Sequence, residues 1–303
     1  MSSFYSGSSG DSSSGVDARF ISVRISRGSW SLSGDIVAEI RSGGVIVRTE
    51  RKSQDPPVNQ SRGPIRGFSK NAQKNLLNLM LGIDIESVAQ TYKNAPAGRS
   101  FFVTLTYRRP DVPIYERRRH LEAFRKRLEY VYGKLGVVWK LEFQERGTAH
   151  YHLMIFHPEM VAWREFRDWC FTSWRSITGD DCYPDVITVY AEPGQAGRLI
   201  SYTVKYMSKS YKSDLPTGRV WGCWNKSAIP FGPTYVLDLT YPEYVEYLRR
   251  LRRVYRCSRY LSSKTANFGG VTVYSDQEKS IKLLRGLGEY RAVGQPIVNS
   301  ASP

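Results

Sequence analysis

VVWKLEFQERGTAHYHLMIF, residues 137–156, decides the fold. Two runs rich in β-branched, aromatic and aliphatic side chains flank Glu145-Arg146-Gly147, a three-residue turn with glycine where left-handed backbone is needed. The stretch therefore predicts a hairpin of strands Val137 to Gln144 and Thr148 to Phe156. Counting back from the turn, Gln144 faces Thr148, Glu142 faces His150 and Lys140 faces His152. Because side chains alternate along a strand, His150, His152 and Glu142 then share one sheet face. A two-residue loop would send Glu142 to the other face, so the grouping depends on register. An isolated H-x-H is also a plain solvent-facing polar pair, and that use stays open here. His157, at odd spacing from His152, points away from the group.

Working outward, Phe101 to Tyr107 (FFVTLTY) reads as a strand ending at Arg108, Arg109 and Pro110. Leu121, Phe124, Leu128, Val131 and Leu135 recur at helical spacing, with Arg117, Arg118, Arg125, Lys126 and Arg127 on the outer face. Trp163, Phe166, Cys170 and Trp174 mark another helix, Val186 to Tyr190 a strand, and Gln195 to Ser210 a further helix. Upstream, Ser69 stands as an N-cap before a helix with Leu76, Leu77, Met80 and Leu81 on one side. Strands and helices alternate without the beat of a parallel sheet. The expected class is α+β, a central antiparallel sheet flanked by helices.

The 303 residues allow one large domain or two. Residues 1–19 are Ser/Gly-rich and read as a disordered tail. Residues 20–67 read as short strands, compatible with a small hairpin, and a turn-rich linker. Residues 68–240 form the main domain, and 241–303 a basic helix from Pro242 to Tyr255 with a weakly patterned tail. Apolar residues make up 41% of the chain, enough for a core, and 44 Lys and Arg against 28 Asp and Glu leave a net charge of +16. That excess favours a nucleic-acid partner over an anionic membrane surface. No run approaches the ~18 apolar residues of a membrane span. The N-terminus lacks a basic start and an apolar block, so no secretory signal is expected. Cys170, Cys182, Cys223 and Cys257 are scattered without a C-x-x-C pair, as reduced thiols in cytoplasm would be.

Two imidazole nitrogens and a carboxylate, if they converge, leave coordination positions of a divalent ion open to a substrate oxygen. Mixed N and O ligation suits Mn²⁺ or Zn²⁺ in isolation, while cellular abundance favours Mg²⁺; Mg²⁺ or Mn²⁺ is the expected cofactor. A second grouping lies in Tyr202-Thr203-Val204-Lys205-Tyr206-Met207-Ser208-Lys209, where Y-x-x-K occurs twice. On a helix, Tyr202, Lys205, Tyr206 and Lys209 fall on one face, opposite Ile200, Val204, Met207 and Tyr211. Two phenols beside two ammonium groups suit a nucleophile site. Tyrosines interleaved with lysines also stack on single strands without chemistry, and that alternative stays open.

FFVTLTY, then E-x-Q-x-R-G-x-x-H-x-H, then Y-x-x-K-Y-x-x-K resemble, in that order, the HUH rolling-circle replication initiators. The likeness is to the two-tyrosine endonucleases of small single-stranded-DNA phages and related plasmids, and it covers roughly residues 68–240. Gly218-Arg219-Val220-Trp221-Gly222 resembles a short downstream motif of the phage-type members. The resemblance implies a divalent metal held by Glu142, His150 and His152, and a 5′-phosphotyrosine link formed at Tyr202 or Tyr206, with Lys205 and Lys209 beside them. It also implies site-specific nicking and rejoining of single-stranded or melted origin DNA. Thr104, Thr106, Arg108, Arg109 and Arg146 are the expected nucleic-acid contacts. No G-x-x-x-x-G-K-[ST] loop is present, so a host helicase is expected alongside a DNA polymerase, in a bacterial cytoplasm if the gene is a phage's. Transposase- or relaxase-like strand transfer, and non-catalytic single-strand binding, are the alternative functions.

Overall fold

Alternation across residues 137–156 builds the middle of a four-stranded antiparallel sheet. The computed structural model describes residues 22–27, 35–50, 64–84, 97–144, 147–179, 182, 217–255, 268–274 and 277–292. In chain order the elements are β1 (Ser22–Arg27), β2 (Asp35–Arg41), β3 (Gly44–Glu50), α1 (Lys70–Leu81), β4 (Ala97–Thr106), α2 (Ile114–Tyr132), β5 (Gly136–Phe143) and β6 (Ala149–Ala162). There follow α3 (Trp163–Thr178), β7 (Trp221–Trp224), β8 (Tyr235–Leu239), α4 (Tyr241–Tyr255), β9 (Phe268–Tyr274), α5 (Gln277–Leu284) and β10 (Glu289–Ala292). The class is α+β, with two antiparallel sheets.

The first sheet has the order β4-β6-β5-β7. Its hairpin register is the expected one, with Glu142 opposite His150 and Lys140 opposite His152. Gly147 takes φ +82° and its N–H donates to the Gln144 carbonyl, closing the turn. On β4, Thr104 pairs with His152 and Thr106 with His150. Period two therefore gathers these two threonines, Lys140, Glu142, His150 and His152 on one face. The other face buries Phe101, Val103, Leu105, Leu141, Tyr151, Leu153 and Ile155. Helices α2 and α3 cover it: Phe166 stacks on Phe101 at 4.3 Å, and Trp174 meets Tyr107, Phe124 and Tyr151 edge-on. Each such fully buried aromatic stabilises by about 1.5–3 kcal/mol. At the sheet's free edge, the Val220 carbonyl accepts from Leu141 N–H before β7 runs beside β5. Gly218, at φ +69°, lies against the Arg118 guanidinium, which a Cβ would strike.

Helix α1 starts as the sequence predicts, with the Ser69 hydroxyl accepting from Ala72 N–H, and buries Leu76, Leu77, Met80 and Leu81. Helix α2 departs from its periodicity. It ends at Tyr132 because Gly133 adopts φ +77°, so Val131 is half exposed, and Leu135 is buried by the connection into β5 rather than by the helix. Arg117, expected outside, is buried with its guanidinium 5.0 Å from the Phe143 ring centroid, its stem serving as apolar cover.

The second sheet has the order β1-β9-β3-β2-β8-β10, so strands from residues 20–67 alternate with strands from beyond residue 234. The expected N-terminal hairpin is β2–β3, in register from Asp35 opposite Glu50 to Arg41 opposite Gly44. One face packs Ile40, Val45, Val47, Leu237 and Val273 against Tyr247 and Leu251 of α4 and Leu284 of α5. The opposite face holds buried Glu39, ion-paired to Arg41 and Arg48. Helix α1 joins the two sheets: Leu81 packs on Ile46, Gly43 N–H donates to the Leu81 carbonyl and Arg41 to the Asn78 carbonyl. Among the described residues no helix is long and apolar enough to cross a membrane, and Cys170, Cys182 and Cys223 are free thiols. The Ser/Gly tail, the strand expected over Val186 to Tyr190, the helix expected over Gln195 to Ser210, and Cys257 lie outside the described residues.

Candidate metal centre

The hairpin brings Glu142, His150 and His152 together, with one possible ligand atom from each within 4.8 Å of the others. His152 Nε2 lies 3.1 Å and His150 Nε2 3.9 Å from the same oxygen, Glu142 Oε2. The imidazole centroids are 4.5 Å apart. All three side chains are close to buried, His152 the most so. Phe102, on the neighbouring strand, stacks on the His152 ring at 5.4 Å. An apolar wall with three converging donors is the setting in which a divalent cation is held firmly.

The outer nitrogens are also placed. Thr104 Oγ1 is 3.1 Å from His152 Nδ1, and the Gln144 side-chain amide is 3.4 Å from His150 Nδ1. A metal bound at both Nε2 atoms requires the ring protons on Nδ1. The His152 proton is then donated to the Thr104 hydroxyl, and the His150 proton to Gln144 Oε1 once that amide is turned over. The residues present thus fit a divalent ion, by donor chemistry and by orientation. Mn²⁺, Zn²⁺ and Mg²⁺ are all compatible with a two-imidazole, one-carboxylate set.

The remaining predicted residues fall into three groups. Thr104 and Thr106 are buried on the metal face, Thr104 with its hydroxyl turned to His152, and Trp174 Nε1 donates to the Thr106 carbonyl. Arg108 and Arg109 are exposed just beyond the end of β4. Tyr202, Lys205, Tyr206, Lys209 and Arg146 lie outside the described residues. His157 is turned from the cluster as expected, past an irregularity in the β4–β6 pairing, and its Nδ1 accepts from Glu159 N–H. Tyr151, between the two histidines, points to the opposite face, where burial pushes its phenol up to about 12. It is no nucleophile for this centre.

Two participants escaped the sequence reading. Gln144 was placed only by its register with Thr148, although strand period two already sets it on the His150 side. Lys140 is wholly buried on the metal face, with its ammonium 4.8 Å from the Phe68 ring centroid. The register with His152 foretold its face but not its burial, because Phe68 is remote in sequence.

Residues 100–211 match the family model for replication-associated proteins of the ORF2 class. The resemblance drawn from the motifs is met at the level of family: the matched segment holds FFVTLTY, the histidine hairpin and the tandem Y-x-x-K. It spans about a third of the chain, and Gly218 to Gly222 lie beyond it. No curated protein and no solved structure gives a significant match to the chain.

Proposed function

We propose that this protein initiates rolling-circle DNA replication by nicking single-stranded or melted origin DNA through a tyrosine. The observation that carries the reading is the shared aim of His150 Nε2 and His152 Nε2 at Glu142 Oε2, on the strand pair of a replication-family segment. Glu142, His150 and His152 would hold a Mg²⁺ or Mn²⁺ ion, whose charge favours accumulation of negative charge on phosphate oxygens. The other groups are assigned as follows. The phenolic oxygen of Tyr202 or Tyr206 attacks phosphorus; the Tyr O–P bond forms as the P–O3′ bond breaks, and the 3′ oxygen leaves with a proton as a hydroxyl. Lys205 and Lys209 offset the charge on phosphorus oxygens and on the phenolate. Arg108, Arg109 and Arg146 bind backbone phosphates near the cut. A polymerase extends the free 3′ hydroxyl, a host helicase opens the duplex, and the second tyrosine cuts after one circuit so that the strand closes. The reaction takes place in the cytoplasm and needs no nucleotide hydrolysis.

The decisive experiment incubates the full chain with Mn²⁺ and a randomised pool of single-stranded oligonucleotides, then sequences DNA-linked peptides by mass spectrometry. The expected adduct lies on Tyr202 or Tyr206. Replacing both by Phe should abolish linkage while single-strand binding persists, and His150→Ala should abolish Mn²⁺-dependent linkage in a folded protein. Binding without any adduct would support the non-catalytic reading instead, and an undiminished rate in His150→Ala would remove the metal centre from the reaction.

A further inference from the structure

The second sheet and its helices have no part in the chemistry above, yet they carry a long run of positive charge with no acidic residue inside it. From residue 247 to residue 275 there is no Asp or Glu, whereas Arg249, Arg250, Arg252, Arg253, Arg256, Arg259 and Lys264 all fall in that interval. Helix α4 divides its side chains sharply. Tyr244, Tyr247, Leu248 and Leu251 are buried against the sheet. Arg250 is committed to structure: its guanidinium donates to the Leu283 and Arg285 carbonyls, at 3.3 and 2.7 Å, and so ties α4 to the end of α5. Arg249 and Arg253 remain on the outer face at i and i+4, Arg249 with 67% of its side chain exposed. Lys282 and Arg285 are exposed on α5, which packs beside α4. Two acidic groups counter this face: Glu246, 3.8 Å from Arg249, and Glu278, paired with Lys282.

Cations at a helix C-terminus also complement the macrodipole, but that effect fades within one turn and gains nothing from charge on the adjoining helix. A charged face without stacking partners is more selective. Single-strand binders present aromatic platforms for the bases. Here Tyr244 and Tyr247 are spent in the core. What α4 offers outward over its second half is guanidinium, the group that reads backbone phosphate without regard to base.

We infer that the outer face of α4, with α5 beside it, is a docking surface for the phosphate backbone of duplex DNA, separate from the nicking centre. It rests on the proposed function only in supposing that an initiator must engage its duplex before a strand is exposed. The test measures binding of the full-length Arg249→Glu, Arg253→Glu double variant to a 30-base-pair duplex, and to a single strand of equal length, over a range of salt. Both positions are exposed, and circular dichroism checks the fold. Duplex affinity at low salt should fall at least tenfold. The slope of log affinity against log salt should drop by about 2, close to the ~0.9 expected per phosphate contact. Single-strand affinity and tyrosine linkage to an oligonucleotide should be unchanged. Unaltered duplex affinity and slope, or an equal loss on single strands, would overturn the assignment. Absence of tyrosine linkage in the unmutated chain would instead refute the nicking proposal and leave this result readable.

Discussion

Thr104 and Gln144 decide which nitrogen each histidine offers. With the Nδ1 atoms of His152 and His150 engaged at 3.1 and 3.4 Å, the Nε2 atoms are the ones turned toward Glu142. Removal of such an outer partner typically weakens metal affinity 10- to 100-fold. Thr104→Val keeps shape and removes the hydroxyl, so Mn²⁺ binding followed by electron paramagnetic resonance should weaken by about tenfold in a protein with unchanged circular dichroism. Unchanged affinity would reduce Thr104 to a packing residue. The ligands themselves were legible in the sequence because a three-residue turn with Gly147 fixes register locally. The role of Thr104 was not, since the strand pairing that opposes it to His152 joins residues 48 apart, and no local rule supplies that pairing.

Helix α4 shows how an element is set by its first turn. Thr240 and Glu243 form a reciprocal capping box: Glu243 Oε2 accepts from Thr240 N–H and from its hydroxyl, each at 2.7 Å, and Glu243 Oε1 accepts from Gly288 N–H at 2.9 Å. The backbone N–H groups of Thr240 and Gly288, then the Thr240 hydroxyl, hold the Glu243 carboxyl below its ordinary 4.5. A depressed folded value means that the contribution is present above the unfolded value and is lost as pH falls through the folded one. Thr240→Ala should therefore cost about 1 kcal/mol at neutral pH. The gap in melting temperature between it and the parent should narrow as pH drops from 5 toward 3; a constant gap would show that the carboxylate takes no part. Elements with local signals were readable, among them the Ser69 cap and the basic run of α4. The end of α2 was not, because Gly133 stops the helix while Leu135 keeps its apolar rhythm.

At the scale of the molecule, the two sheets have separate cores, one built from β4 to β7 with α2 and α3, the other from β1 to β3 and β8 to β10 with α4 and α5. The second core was invisible to a left-to-right reading: β9 lies between β1 and β3, more than 200 residues apart from either along the chain, and weak strand patterns at each end gain meaning only when paired. Among the described residues α1 carries the seam, through Ile46–Leu81 and two backbone acceptors. Few shared contacts against two full cores imply two cooperative units. Leu237, fully buried in β8, tests this. Leu237→Ala leaves a cavity costing about 2–5 kcal/mol, charged to the second core alone if the units are independent. Mn²⁺ stabilises only the unit that binds it, because a ligand raises the stability of the state that holds it. Calorimetry of the parent should then show two transitions, one raised by Mn²⁺ and the other lowered by Leu237→Ala, with neither change moving its neighbour. A single transition shifted by both would mean that the α1 seam couples the sheets into one folding unit, and a metal bound between two histidines would then help to hold the DNA-docking helices in place.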